Sequence, residues 1–318
     1  MTKPKLQYFL TLLFTIIILF FIFKQINFNL LLNEIKNINI YWLIFSYLLL
    51  IFPISFTAIK WKILISDYKK ITFYDSLKLH FVMESFSIIT PLKMGDFINA
   101  FYKNDNKFNR KIGVGASIFE KLIDLITLSI FGLFGIIYFF DYKIIIIFIT
   151  ISLIIITGFI FVTLFMNTNK DGIFMKIIIK IIPFKKITKI INDIIIYYSK
   201  IRRKPIKIIK AFLLSFLTYF FFIIQGYFLF YAIGVNLELF FVLKVIILGL
   251  IIGMIPVTLA GIGTRDGIFI LLLSGILSYE IIVLYALLFS LGYILIALIG
   301  LIWIKEIINN LNFKIKNY

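Results

Sequence analysis

The sequence contains no cysteine and a single histidine, His80, among its 318 residues. Without cysteine there is no disulfide, no thiolate nucleophile and no sulfur-ligated metal, and one imidazole leaves little for a histidine-based metal site. No metal or cofactor is expected. Acidic side chains are also scarce, 15 against 33 Lys and Arg, for a net charge of +18. Proline occurs six times. It removes a backbone donor and clashes with the helical turn before it, which marks Pro91, Pro183 and Pro256 as interruptions.

What the sequence has in quantity is apolar side chain: 62% of residues are hydrophobic and mean hydropathy is +1.07. Soluble domains are nearer half apolar, so the expected class is an all-α, polytopic integral membrane protein. The positive charge then reflects the bias of inner loops rather than a nucleic-acid surface. Apolar runs at Leu6–Phe23, Ile40–Ile59, Val114–Phe140, Ile144–Met166, Ala211–Ile233 and Ile281–Trp303 predict about six full spans. Leu6–Phe23 has no small-residue cleavage site and reads as a span, not a signal peptide. The residues Asn27–Asn39 read as a short outer connection. Trp42 and Trp61 bracket the second run as interfacial anchors do, and Lys60, Lys62, Lys69, Lys70 and Lys78 read as an inner loop. The stretch from Lys170 to Lys210 alternates isoleucine and lysine around Pro183, the pattern of amphipathic helices on an anionic leaflet. Lys24, Lys36, Lys143 and Lys244 are the basic residues left to outer segments. The implied arrangement is a cytoplasmic-membrane protein with both termini inside. It is a single domain, residues 1–318, of two halves (1–166 and 211–318) joined by a basic connector (167–210).

Two segments are too short to cross. Leu79–Pro91 leads into Thr90-Pro91-Leu92-Lys93-Met94-Gly95-Asp96, with basic loops on both sides. Leu239–Pro256 and Ile268–Leu277 flank Gly261-Ile262-Gly263-Thr264-Arg265-Asp266-Gly267. Proline and glycine permit irregular backbone here, which survives at membrane depth only when packed in protein or lining a wet cavity. Both read as re-entrant hairpins, and their matching places suggest an inverted repeat around a midplane site. The plainer reading of the second is a tight loop between two spans.

The ionisable residues of these segments are the candidate site. Thr264 reads as an N-cap with Asp266 in the following first turn, so backbone donors and Arg265 would together attract an anion such as a lipid phosphate. Thr90-Pro91 similarly opens a helix carrying Lys93. Alternatively, Arg265 pairs with Glu120 or Asp124 and only holds helices together. Glu120 and Asp124 are four apart and share a helix face. They suit proton coupling, recognition of an amine-bearing headgroup, or charge balance for Lys121 and Arg265. His80 reads as a hydrogen-bonded hairpin residue, and Gln225 as a polar link between two spans.

Three of these motifs also carry a family resemblance. Pro91-Leu92-Lys93-Met94-Gly95-Asp96, Glu120-Lys121-Leu122-Ile123-Asp124 and Gly261-Ile262-Gly263-Thr264-Arg265-Asp266 resemble, in order, the Pro-Gly-Arg-x-Gly-Glu, Glu-Arg-x-x-Asp and Gly-x-Gly-x-Arg-Glu motifs of the lysylphosphatidylglycerol synthase transmembrane-region, or flippase-like, family. Lys93 and Lys121 stand where arginine is usual, Asp96 and Asp266 where glutamate is usual. Lysine lacks arginine's bidentate fork, and the shorter carboxylates weaken the case for tight ion pairing. The resemblance implies a lipid flippase or transporter. Its headgroup residues would be Arg265, Lys93, Lys121, Thr264, Gly261 and Gly263, with Glu120, Asp124, Asp96 and Asp266 in coupling or pairing roles. The cargo would be an anionic, aminoacylated or polyprenyl-phosphate-linked lipid. In the family a soluble aminoacyltransferase domain makes the lipid, and this sequence has no stretch polar enough for one. Two rivals are an integral-membrane transferase acting on a lipid-linked substrate and a non-transporting scaffold for a separate lipid-modifying synthase.

Overall fold

The computed structural model describes residues 3–102, 108–139, 196–254 and 257–310. The expected fourth span, Ile144–Met166, and the connector up to residue 195 lie outside the described residues. The described residues form helices joined by turns and short irregular links, with no strand among them. The helices are α1 (Lys3–Lys24), α2 (Phe28–Lys36), α3 (Ile40–Leu49), α4 (Ile51–Ile65), α5 (Phe73–Ile89), α6 (Arg110–Phe139), α7 (Pro205–Ala232), α8 (Leu239–Met254), α9 (Thr264–Leu273), α10 (Tyr279–Leu301) and α11 (Ile304–Asn310). A 3-10 segment, Pro91–Phe101, follows α5, and a 3-10 turn, Leu259–Gly261, precedes α9.

Three described segments are long and apolar enough to cross a membrane: Ile40–Ile65, Pro205–Ala232 and Tyr279–Leu301. A fourth is reached if Thr11–Lys24 and Phe28–Lys36, bent by 88°, form one broken span. Large side chains such as Phe20, Phe21, Leu213 and Leu298 point outward, which suits a molecule whose surroundings are hydrocarbon. The protein is therefore a membrane protein of several spans.

The expected plain connection at Asn27–Asn39 is instead largely helix. The Asn27 side chain accepts hydrogen bonds from the backbone N–H groups of Asn29 and Leu30 and starts α2, while Leu31 is buried among the core residues. A side-chain cap at the start and a buried leucine order a segment that its shortness and weak charge had suggested was a plain connection. The second span is broken at Leu50, and Pro53, three residues into α4, has no N–H to continue the α3 ladder. Gln225 links α7 to α3 as expected: its side-chain amide donates to Ser46 Oγ at 3.2 Å, and that hydroxyl donates to the Gln225 carbonyl at 2.9 Å.

The main core joins α1, α7, α8, α9 and α10, with Phe230, Phe269, Tyr285 and Phe289 at its centre. The Phe230 and Tyr285 rings stack. A second core packs α4 and α6 against Tyr197, Tyr198 and Ala211.

Both short segments fold back. Thr90 and Pro91 occupy the cap and first-helical positions, although the helix they open is 3-10 rather than α. Thr90 Oγ1 accepts from Gly95 N at 2.9 Å. A Cβ at Gly95 would collide with the backbone of Ser87, so glycine lets the 3-10 segment lie directly on α5. In the second half, Ala260, Gly261 and Gly263 all have positive φ (52°, 78° and 95°). A Cβ at Gly261 would sit 2.7 Å from the Gly253 carbonyl oxygen. The two returns meet: the 3-10 turn touches both α5 and the Pro91–Phe101 segment.

Glycine should therefore be indispensable at one position and dispensable six residues on. Gly261→Ala forces a side chain into a left-handed backbone and against Gly253, and should destabilise the protein by about 1–3 kcal/mol. Gly267 has open space around it within α9. Gly267→Ala should be neutral or stabilising by up to about 1 kcal/mol. Thermal unfolding of the two variants in detergent checks the contrast.

Candidate functional site

The most deeply buried charge is one that the sequence pattern assigned to a loop. Lys60, near the end of α4, has no exposed side-chain surface. Its ammonium lies 2.5 Å from Asp124 Oδ1 and 3.5 Å from Glu120 Oε1, and donates to Ser215 Oγ at 3.0 Å. Ser215 in turn donates to Asp124 Oδ1 at 2.6 Å. The four-residue spacing of Glu120 and Asp124 turns both carboxylates to α4, and Ser215 brings in α7. Lys60 thus takes the place that the pairing alternative gave to Arg265.

Arg265 finds its partners locally. It is buried, and its Nη2 donates to Ser290 Oγ on α10 at 2.6 Å. Ser290 sits 3.4 Å from Asp266 Oδ1, and Arg265 Nε lies 3.7 Å from the same oxygen. The guanidinium also stands 4.8 Å from the ring centres of both Phe289 and Tyr293, a cation–π arrangement. Its Nε is buried with no hydrogen-bond partner among the described residues. Asp266 is the third residue of α9 and its Oδ2 accepts from Gly263 N at 2.9 Å. The N-cap is therefore Gly263, not Thr264 as the sequence suggested, because the cap needs a φ of 95° that a β-branched residue resists. Thr264 instead donates to the Gly261 carbonyl and lies 3.0 Å from the Thr258 hydroxyl.

Lys121 pairs with Asp96 at 2.8 Å, and Asp96 Oδ1 accepts from Ser87 Oγ at 2.6 Å. The shorter carboxylate does not prevent a tight pair here. The Arg265–Asp266 contact, by contrast, is long. Lys93 falls in the 3-10 segment, and its side chain lies outside the described residues.

These groups surround one cavity of about 280 Å³ between the two halves. Asp96, Lys121 and Asp124 line it from one side and Arg265 from the other, with Glu84, His80 and Ser87 on the α5 wall. Thr57, Thr218 and Tyr219 add hydroxyls, while Phe97, Phe222, Leu250 and Met254 make apolar wall. Thr264, Gly261, Gly263, Asp266 and Glu120 stand behind this lining rather than in it. His80 Nε2 lies 3.9 Å from Glu84 Oε1, one helical turn on. No group of three or more metal-ligating side chains occurs among the described residues. The arrangement offers cationic and anionic groups side by side around one cavity.

The profile of a family described as the lysylphosphatidylglycerol synthase TM region matches residues 8–300. The chain belongs to this family. Among curated proteins none matches it. All three motifs fall within the matched residues, and the members Lys121, Asp96, Asp124 and Arg265 meet in the cavity. Sequence reasoning missed Lys60, Ser215 and Ser290. Lys60 follows Pro53 and Thr57 at helical spacing, which puts it on their face of α4 and was the available signal. The two serines carried none.

Removing Lys60 should leave two buried carboxylates uncompensated. Lys60→Met is expected to cost about 3–5 kcal/mol. Adding Asp124→Asn should recover most of it. Thermal stability of the wild type, both single variants and the double variant, compared as a cycle, measures the coupling.

Proposed function

We propose that this protein is a lipid flippase-like transporter that passes the headgroup of an anionic or aminoacylated phospholipid, or of a polyprenyl-phosphate-linked lipid, through the central cavity. The observation that carries this reading is the meeting of Arg265 and Lys121 on the walls of one cavity. Charged groups buried within a membrane protein mark substrate pathways by default, and pathways at the junction of two broken helical hairpins recur in transporters. Arg265 is the phosphate partner: its Nε is a buried donor without a hydrogen bond among the described residues, and the Phe289 and Tyr293 rings with Ser290 fix the guanidinium's orientation. Lys121 is a second cation held by Asp96. Asp124 and Glu84 face an amine where the headgroup has one. Thr264, Gly261 and Gly263 shape the turn that presents Arg265.

In this reading the chain crosses about six times. The two hairpins enter from opposite faces, and the basic end of α7 is cytoplasmic. Helix α7 runs for 28 residues, about 42 Å at 1.5 Å per residue, with Lys204 at one end and Asn236 just beyond the other. The cysteine-free sequence makes the orientation directly measurable. A cysteine at Lys70 should be labelled only from the cytoplasm and one at Asn236 only from outside; the reverse pattern would invert the arrangement.

The transport reading is tested in proteoliposomes by following leaflet accessibility of headgroup-labelled lipids. Arg265→Gln should reduce transport of phosphate-bearing lipid at least tenfold, and Arg265→Lys should retain part of it as a point charge without the fork. Since Arg265→Gln also removes the cation nearest Asp266, the double variant Arg265→Gln/Asp266→Asn should restore stability while transport stays absent. Recovery of transport in that double variant would make Arg265 a structural partner only.

A further inference from the structure

A second concave surface lies away from the central cavity, between the end of α4 and the start of α7, with a volume of about 850 Å³. It is built by two stripes at helical spacing. Helix α4 contributes Ile59, Lys62 and Ile63, with Ser66 just past its end; the approach to α7 and its first turns contribute Arg203, Ile206, Lys207 and Lys210. Each stripe mixes isoleucine with cation, so the groove has an apolar floor and a basic rim. The cations are not equivalent. Asp67, in the loop after α4, binds Lys204 at 2.5 Å and Lys207 at 2.8 Å, and Ser66 Oγ accepts from Lys207 at 2.6 Å. Burial pushes the Asp67 carboxyl up, but the hydrogen bonds from Lys204 and Lys207 outweigh it and hold the group below its usual range. Asp67 is therefore ionised at neutral pH and keeps those two lysines engaged, clasping α7 to the α4 loop. Lys62, Arg203 and Lys210 are exposed on the rim with no acidic partner among the described residues. Ile206, at 68% exposure, is open to whatever fills the groove.

We propose that this groove holds one anionic phospholipid from the surrounding leaflet, its phosphate on Lys62, Arg203 and Lys210 and its acyl chains along Ile59, Ile63 and Ile206. The chemistry requires both halves of such a ligand. A soluble anion would gain nothing from the isoleucine floor, and a zwitterionic lipid would bring its own cation to a rim that already has three. Near an anionic leaflet each cation adds to the attraction, and long basic side chains lay their stems on apolar surface while their heads reach the phosphates. The site does not depend on transport through the central cavity, and lipid occupancy reads it separately.

The test uses the full chain in nanodiscs of equal phosphatidylglycerol and phosphatidylcholine, with retained lipids identified by native mass spectrometry. The wild type should keep the anionic lipid over the zwitterionic one by at least tenfold. Lys62→Gln/Arg203→Gln/Lys210→Gln should cut that preference below threefold. The charge-matched control Lys70→Gln/Lys111→Gln/Lys305→Gln should leave it unchanged. Ile63→Glu, which keeps all three cations but places an acid on the floor, should also abolish retention and guards against misfolding of the triple variant. Equal loss in both triple variants would mean diffuse surface charge. Displacement of the lipid by millimolar inorganic phosphate would mean a small-anion site. Either result, or a wild type without preference, overturns the proposal.

Discussion

A charge buried among helices of a membrane protein must be met where it lies, because desolvation costs several kcal/mol per ion and only a close partner returns it. The ion cluster of Lys60 with Glu120 and Asp124 is the place where this constraint shapes the most structure. Lys60 is wholly buried, and its two carboxylates come from one face of α6. Ser215 adds α7 to the same cluster. Three helices from both halves of the chain are thus held by one set of short polar contacts. Lys60 is the cation that meets this pair, while Lys121 and Arg265 find other partners, Asp96 and the Asp266–Ser290 pair. That division leaves both cations on the wall of the central cavity.

The hairpins add a second constraint, close backbone approach. Gly95 lets the first return lie on α5, and Gly261 lets the second lie on Gly253. Arg265 follows directly, with its stem packed over Gly253 as well. Position and charge are therefore set together: the glycines bring the two returns into contact, and the ion pairs fix which charged ends face the space between them.

Much of this was legible in the sequence. Interrupted apolar runs located both fold-backs, because proline and glycine leave a local signature that does not depend on the rest of the fold. Thr90-Pro91 was read correctly as a helix start, and Gln225 as a polar link. What was not legible depended on partners distant in sequence. Lys60 sits beside Lys62 and before Lys69 and Lys70, so charge pattern alone placed it in a basic loop; its burial follows from Asp124 being 64 residues away in the chain but in contact in space. The pairing of Arg265 was hidden for a different reason. Neighbours on a helix do not face one another, yet Ser290 bridges Arg265 and Asp266 from α10. The ordering of Phe28–Lys36 was missed because its nine residues are too few to read as a span, while the Asn27 cap and the burial of Leu31 are visible only in the fold.

The central claim is that charged groups of both halves line a wet space, rather than sealing a dry structural knot. Accessibility of that space decides it. Thr57 lines the cavity, and among the described residues its hydroxyl bonds only within its own helix, to the Pro53 carbonyl, so Thr57→Cys in the cysteine-free chain is a mild probe. A small, charged, water-borne thiol reagent should modify this cysteine, and should not modify one at Ile246, buried in the main core away from the cavity. Phosphate-bearing lipid that occupies the cavity should slow the Thr57→Cys reaction. A cysteine at position 57 as unreactive as the one at 246 would contradict the account.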